Sequence, residues 1–398
     1  MILKENLPLA IVLHIAYTGY GVVRSLAHYG IPVVAFQKDL SAPEAKSKLC
    51  KQLFTFKSED ELLDKLIVLA KNQRLKPTLF ITSDVYVEFY VKYRNELENY
   101  YLIDYPDSEV VDLLLSKNKF IDYAVKHDLP IPRSIKINSQ ADIHNNGEIV
   151  YPAILKPYVK SPGWLSAKFE KAYLINSEPE MLSLYEKVKK VEPCLLIQEM
   201  IPGPDSSVEY CLTYFNQNND CLCHFTGAKI RQWPVYTGST ASIKPIVNHE
   251  IETLTLNLFK ELNYRGFGSV EFKKHSVNNK YYIMEPTVGR PNQQSYVATA
   301  NGINMPLIAY QTLTGLEFNH TAQLVSPSVT YIDEWADIAS ALVHFKQKQL
   351  TFWKYVEIFK GKKSFRYLNK QDPAVFVASL FKALRAIPKI IKQKIKIL

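Results

Sequence analysis

Apolar and polar positions along this chain separate short buried strands from amphipathic helices. Residues 9–15 are an apolar run that stops at Gly19-Tyr20-Gly21, after which Val22, Val23, Leu26 and Ala27 recur at helical spacing. Gly30 breaks that helix, and residues 31–36 form a second run rich in β-branched side chains. Strand, glycine turn, helix and strand predict a βαβ unit, and with it an α/β fold. Residues 79–82 add a strand that stops at Ser83-Asp84, an expected helix N-cap.

Residues 110–129 have helical spacing and end at Leu129-Pro130-Ile131-Pro132, where two prolines demand extended chain. Strands are expected at 153–155, 195–198, 208–214, 267–272 and 281–284, the last two joined as a hairpin by the polar turn 275–280. A helix over 305–314 should close on Gly315, and a final one should start at Asp372-Pro373 with Phe376, Leu380, Leu384, Ile387 and Ile391 on its apolar stripe. The first turn does not make a nicotinamide site. Position 24 is Arg24 where a third glycine would stand, and the first acid after the second strand is Asp39.

At 398 residues, 47% hydrophobic and 22% charged, the chain is expected to be ordered and to pack as two to four units. Residues 6–23 lack Asp, Glu, Lys and Arg but hold His14, Tyr17, Thr18 and two glycines. They are read as a buried strand and turn, and not as a membrane span or signal peptide. Five cysteines without a leader predict reduced thiols in a cytoplasmic protein, and Cys221 and Cys223 lack the partners of a zinc site. The net charge of +9 is uneven. Residues 373–398 carry no acid, yet hold Lys382, Arg385, Lys389, Lys392, Lys394 and Lys396, which suits a solvated helix face or an anionic surface.

The densest chemistry is the pair Glu271 and Glu285 on the two hairpin strands. Two carboxylates converging there repel one another unless cations join them, and oxygen ligands favour magnesium completed by phosphate. The alternative is a solvated hairpin with unrelated acids. Lys156 ends an apolar strand before Pro157, where its ammonium suits either a phosphate oxygen or plain solvent. Ser161-Pro162-Gly163-Trp164 follows at loop distance with backbone amides for phosphate, Trp164 serving as a lid or as a packing anchor. In Gln198-Glu199-Met200-Ile201-Pro202-Gly203 an apolar strand turns into a loop that offers hydrogen bonds to an adenine edge, and Glu209 offers an acceptor for ribose hydroxyls. Lys229 and Arg231 are placed on one strand face, and Arg231 or Arg290 suits a bidentate clamp on a substrate carboxylate.

Taken in order, these segments resemble the ATP-grasp superfamily from about Pro8 to Gly315. The family's Lys-x-x-Phe helix and following proline segment are matched by Lys117-Asn118-Lys119-Phe120 and Asp128-Leu129-Pro130-Ile131-Pro132. Its lysine strand is matched by Ile154-Leu155-Lys156-Pro157, and its hinge by Gln198-Glu199-Met200-Ile201-Pro202-Gly203. Its acidic strands are matched by Gly268-Ser269-Val270-Glu271-Phe272 and Tyr282-Ile283-Met284-Glu285-Pro286. The resemblance implies an α/β fold in four parts. A Rossmann-like pre-ATP-grasp domain (1–112) precedes a two-lobed α+β ATP-grasp domain, with a small lid lobe (113–190) and a large lobe holding the metal site (191–316). A helical C-terminal extension (317–398) follows.

The resemblance also implies a carboxylate–amine ligase of the D-aspartate-ligase-like or surface-polysaccharide-associated kind, which forms an acyl phosphate with ATP and joins it to an amine. Lys117, Lys156 and Gly163 would face ATP phosphates, with Glu199, Met200 and Ile201 at adenine and Glu209 at ribose. Glu271 and Glu285 would hold magnesium, or manganese in its place. Thr287 stands where the family has asparagine, so Asn292 is the expected third metal group. Arg290, Arg231 and Lys229 would serve the reacting carboxylate. The expected partners are small-molecule acid and amine substrates and no specific nucleic acid, with peripheral contact to the inner membrane face through residues 373–398. Two other readings are a nucleotide-binding protein that has lost catalysis and a binder of anionic surfaces or nucleic acid driven by the tail.

Overall fold

The computed structural model describes residues 7–144, 149–158, 162–167, 169–170, 172–236, 238–318 and 329–395. Its first sheet contains β1 (Ala10–Leu13), β2 (Val33–Phe36), β3 (Gln52–Phe54) and β4 (Thr78–Ile81), all parallel, in the order β3-β2-β1-β4. β1, β2 and β4 are buried at every position, as a parallel sheet covered on both faces requires. The turn after β1 needs Gly19, because a Cβ there would overlap the His14 carbonyl oxygen. The helix Tyr20–Ala27 follows directly.

A second sheet, antiparallel, contains β5 (Ser134–Ile137), β6 (Ala153–Pro157), β7 (Tyr173–Ile175) and β8 (Leu195–Glu199) in the order β5-β8-β6-β7. β8 lies beyond the boundary expected at residue 190, yet its hydrogen bonds go to β5 and β6. This lobe has its own core, around Leu155, Trp164, Met181, Tyr185 and Ile197. The stretch read as 110–129 is two helices, Ser108–Leu115 and Lys117–Lys126, separated at Ser116, whose backbone is extended.

The third sheet holds β9 (Val208–Phe215), β10 (Cys221–Trp233), β11 (Ser239–Pro245), β12 (Gly266–Lys274), β13 (Tyr281–Val288), β14 (Val329–Ile332) and β15 (Lys362–Phe365). Its order is β13-β12-β9-β10-β11-β14-β15. The C-terminal segment therefore supplies two strands in addition to the helices Glu334–Lys346, Phe352–Val356 and Pro373–Ile395. The helix Met305–Thr314 ends as expected on Gly315, at φ 68°. Val12 and Phe80 of the first sheet share one apolar cluster with Leu212, Tyr214 and Phe267 of the third, so these two sheets pack as one body. All five cysteines are free, and no described helix is long and apolar enough to cross a membrane. Ser161 and Lys396 lie outside the described residues, as do the side chains of Ile387, Lys389, Ile391, Lys392 and Lys394.

The chain's C-terminal part is tied back to its N-terminal unit by buried charge. Arg366, just after β15, donates to Glu44 at 2.6 Å and to Asp333 at 2.7 Å, with its guanidinium 3.7 Å from the Tyr17 ring centre. Asp372, directly before the helix Pro373–Ile395 as expected of its cap, accepts from the Tyr20 and Ser47 hydroxyls and the Lys48 amide. Arg366→Met leaves Glu44 and Asp333 buried without their cation. It should cost roughly 3–5 kcal/mol, read as a lower urea midpoint, whereas an exposed variant such as Lys354→Met should leave the midpoint unchanged.

Candidate active site

Loops of the first sheet and strands of the third enclose a cleft of about 640 Å³, lined by His14, Tyr17, Asp84, Lys117, Lys229, Glu271, Glu285, Arg290 and Asn292, among others. At Lys117, Glu285 and Pro286 it narrows into a slot between the lobes. Ile131, Pro132, Lys156 and Gln198 form one wall of the slot, and Phe120, Ile283 and Met284 the other. Cleft and slot together offer a charged chamber and an apolar crevice.

The carboxylate pair is where the hairpin pattern predicted it. Glu271 and Glu285 are direct register partners on β12 and β13, with a bulge just beyond them. Each meets a lysine: Lys229 is 2.8 Å from Glu271, and Lys117 is 3.1 Å from Glu285. The Lys229 side chain is almost fully buried at 3% exposure, while Lys117 and Glu285 are more than half exposed. Lys229 also donates to Gln232. The Asn292 amide group donates to Ser269 at 2.9 Å and to Thr287 at 3.2 Å, so Thr287 orients the residue expected to stand in for the missing asparagine.

Arg290 is in the cleft, paired bidentately with Asp84 at 2.5 and 3.1 Å. Arg231 is not. The pairing of β10 with β11 shifts register between Lys229 and Arg231, which breaks the two-residue alternation that would place both cations on one face. Arg231 is buried in a bidentate pair with Asp337, both bonds 2.8 Å, beneath the Tyr355 ring. Glu209 stands one position off Tyr210, the partner of Glu271, and so occupies the opposite face of the sheet, where it accepts from Asn248 and Tyr281.

On the other lobe, Lys156 donates to Gln198 at 3.0 Å, and Gln198 in turn donates to Ser134. The Glu199 carboxylate accepts from the Arg133 amide, Met200 is partly exposed and Ile201 is buried. Gly163 lies in the short helix Pro162–Ser166 and is exposed. Trp164 is fully buried, packs edge-on against Phe169 and Tyr173, and donates to the Glu170 carbonyl, which makes it an anchor of the small lobe's core.

Some residues around the cleft carry no local signal in the sequence. Ser83-Asp84 has the pattern of a helix cap, yet Ser83 makes no side-chain cap bond and Asp84 reaches Arg290. Lys273, two positions after Glu271 on β12, is half-buried but does not line the cleft. Burial pushes its ammonium below the ordinary lysine value, against the opposing charge of Asp205. Burial raises the Tyr17 hydroxyl well above its usual range, with Asp333 adding to the effect, so it stays protonated. His14, at φ 76°, is held by burial below its ordinary value of 6.5, with Glu44 opposing.

Cleft, interlobe slot and three-sheet order define an ATP-grasp fold. No protein-family model matches the chain. The D-aspartate ligase of Enterococcus faecium is 25% identical over 306 residues, which cover 72% of this chain and 72% of that one. Among solved structures, N5-carboxyaminoimidazole synthetase from Staphylococcus aureus, complexed with ADP, matches at TM-score 0.61 with 14% identity over 86% of each chain. The biotin carboxylase domain of the 2-oxoglutarate carboxylase of Hydrogenobacter thermophilus, in complex with MgADP, ADP and bicarbonate, matches at TM-score 0.59. It shows 14% identity over 80% of this chain and 73% of that one. The chain shares the fold of these ATP-grasp structures and is similar in sequence to a carboxylate–amine ligase, the D-aspartate ligase, over 72% of its length.

His14 gives the cleft a pH signature. Its folded value is lowered, so above about pH 6.5 it contributes no pH dependence. As pH falls below 6.5 the unfolded chain takes the proton first and stability is lost down to the folded value. His14→Gln should flatten that slope, measured as urea midpoints at pH 7.5 and 5.5.

Proposed function

We propose that this protein is an ATP-dependent carboxylate–amine ligase of the ATP-grasp superfamily, which binds ATP with its base in the interlobe slot and its phosphates over Lys117 and Lys156, and activates the carboxylate of a small amino acid held in the charged cleft. D-aspartate is the first candidate, on the strength of the Enterococcus relative. The observation that carries this reading is the facing pair Glu271 and Glu285, each matched to a lysine, at the junction of cleft and slot.

That donor set fits a divalent ion. Two carboxylates on one face, with the Asn292 amide beside them, leave positions for water and phosphate, which is how magnesium is usually held. No cluster of three or more His, Cys, Asp or Glu exists among the described residues, so a site built from protein acids alone is not offered. Magnesium, or manganese in its place, would neutralise phosphate charge there. Lys117 is the exchangeable partner, since its exposed pair with Glu285 is weak in water and its ammonium can pass to a phosphate oxygen. Lys229, buried against Glu271, is fixed and keeps a positive charge on the cleft floor.

Arg290 is the remaining candidate for the acid. Its bond to Asp84 leaves it oriented into the cleft, where it can hold a carboxylate and then the oxyanion that forms as the amine attacks. The activated acid needs no protein nucleophile, because positioning and charge suffice. Gly163, Glu199, Met200 and Ile201 remain proposed neighbours of the nucleotide through their backbones. Glu209 and Arg231 act from behind the site by fixing the strands that carry it.

Purified protein with MgATP should release ADP on addition of D-aspartate or another member of a pool of amino acids, together with an amine acceptor. Glu285→Gln should lower that rate by roughly 10²-fold or more. ADP release that ignores every acid and amine, or that survives Glu285→Gln, would sink the proposal.

We also place the enzyme in the cytoplasm, at the inner membrane face. Val377, Leu380, Phe381 and Leu384 of the last helix are exposed, and its basic residues have no acid among them. Changing Lys382, Arg385, Lys389 and Lys392 together to glutamine should weaken partition onto phosphatidylglycerol vesicles roughly tenfold or more. Equal partition of the two proteins would remove the tail from consideration.

A further inference from the structure

The helix Phe352–Val356 leaves large apolar side chains in water. It contains no buried residue, although its sequence is Phe-Trp-Lys-Tyr-Val. Trp353 is 78% exposed and Phe352 63%, the two rings meeting edge to face at 5.6 Å. Val356, Phe359 and Leu342 are exposed nearby in the chain. Single exposed hydrophobes are ordinary, but adjacent aromatic rings left in water call for something to cover them.

The helix is held in place from below. Tyr355 lies over the buried Arg231–Asp337 pair and contacts Phe345 and Phe359, and the Thr351 hydroxyl caps the Lys354 amide. Phe352 and Trp353 are thus presented on a fixed base. The charge of this stretch is mainly positive: residues 345–365 hold Lys346, Lys348, Lys354, Lys360, Lys362 and Lys363 against a single acid, Glu357, which is 3.6 Å from Lys360.

We propose that Phe352 and Trp353, set among these lysines, insert into an anionic lipid surface and dock the enzyme there. Aromatic rings belong at the water–hydrocarbon boundary, and lysines beside them reach acidic headgroups. A second copy of the chain is a poor occupant, because a self-complementary contact would bring the same lysines face to face. Nucleic acid would use the rings for stacking but has no use for the exposed Val356 and Phe359 close to them in the chain. This contact is separate from the tail contact proposed above and deepens that reading by naming a second, rigid element.

The test uses the full-length chain and vesicles of phosphatidylcholine with and without phosphatidylglycerol. Expected results are partition onto the acidic vesicles, quenching of tryptophan fluorescence by lipids brominated in the acyl chain, and loss of that quenching in Trp353→Phe. Phe352→Ser/Trp353→Ser should weaken partition roughly tenfold or more, with an unchanged thermal midpoint and unchanged ATP turnover on soluble substrates. Partition that persists in the double variant and vanishes in the tail-charge variant would overturn the inference while keeping the tail. Loss in the double variant alone would establish it without the tail. Absence of vesicle binding, or protection of Trp353 by single-stranded RNA and not by lipid, would overturn it outright.

Discussion

Two carboxylates stand directly across from each other on neighbouring strands, and the elements around them bring each one a lysine. Left alone, Glu271 and Glu285 would repel one another. β10 brings Lys229 under the first, and the helix Lys117–Lys126 brings Lys117 to the second. The two pairs are unequal by design of burial. In Lys229–Glu271 the lysine is shielded from water, while Lys117–Glu285 is open to it and can rearrange when a stronger anion arrives. One hairpin thus combines a permanent and a replaceable counterion.

The opposite wall of the cleft depends on residues far away in sequence. The loop after β1 carries His14 and Tyr17, both at positive φ, and Glu44 accepts from the Tyr17 amide. Arg366, more than three hundred residues later in the chain, holds that same Glu44 and lies against the Tyr17 ring. The C-terminal strands therefore complete a sheet and also brace the loop that faces the substrate cleft. A strained loop persists where its surroundings over-determine it, and here buried ionic bonds do so.

Local pattern made the strands, the hairpin and the ordered motifs readable, because alternation and glycine turns act within a few residues. It also placed Glu271, Glu285, Lys156 and Lys229 in or beside one cleft. What escaped depends on register and on long-range partners. Lys229 and Arg231 read as one face until a β-bulge separates them, and Glu209 reads as a cleft residue until its parity with Tyr210 is known. Asp84 looked like a cap because nothing local points to Arg290. β15 escaped because Lys-Lys-Ser-Phe at the sheet edge carries no apolar alternation, and β14 because four residues are too few to show a period. Trp164 could be assigned to packing only once Phe169 and Tyr173 were seen around it.

The small lobe's separate core has a consequence for how the molecule comes apart. The first and third sheets share apolar clusters, so neither can loosen without exposing the other. The lobe from β5 to β8 buries Leu155, Trp164, Met181 and Ile197 among its own residues. Such a unit is a foldon in its own right. Its amides should exchange with solvent at a free-energy cost set by its own packing and below that of the whole chain. Nucleotide seated in the slot would add contacts to both walls and so raise the lobe's protection selectively, coupling occupancy of the site to the local stability of one lobe.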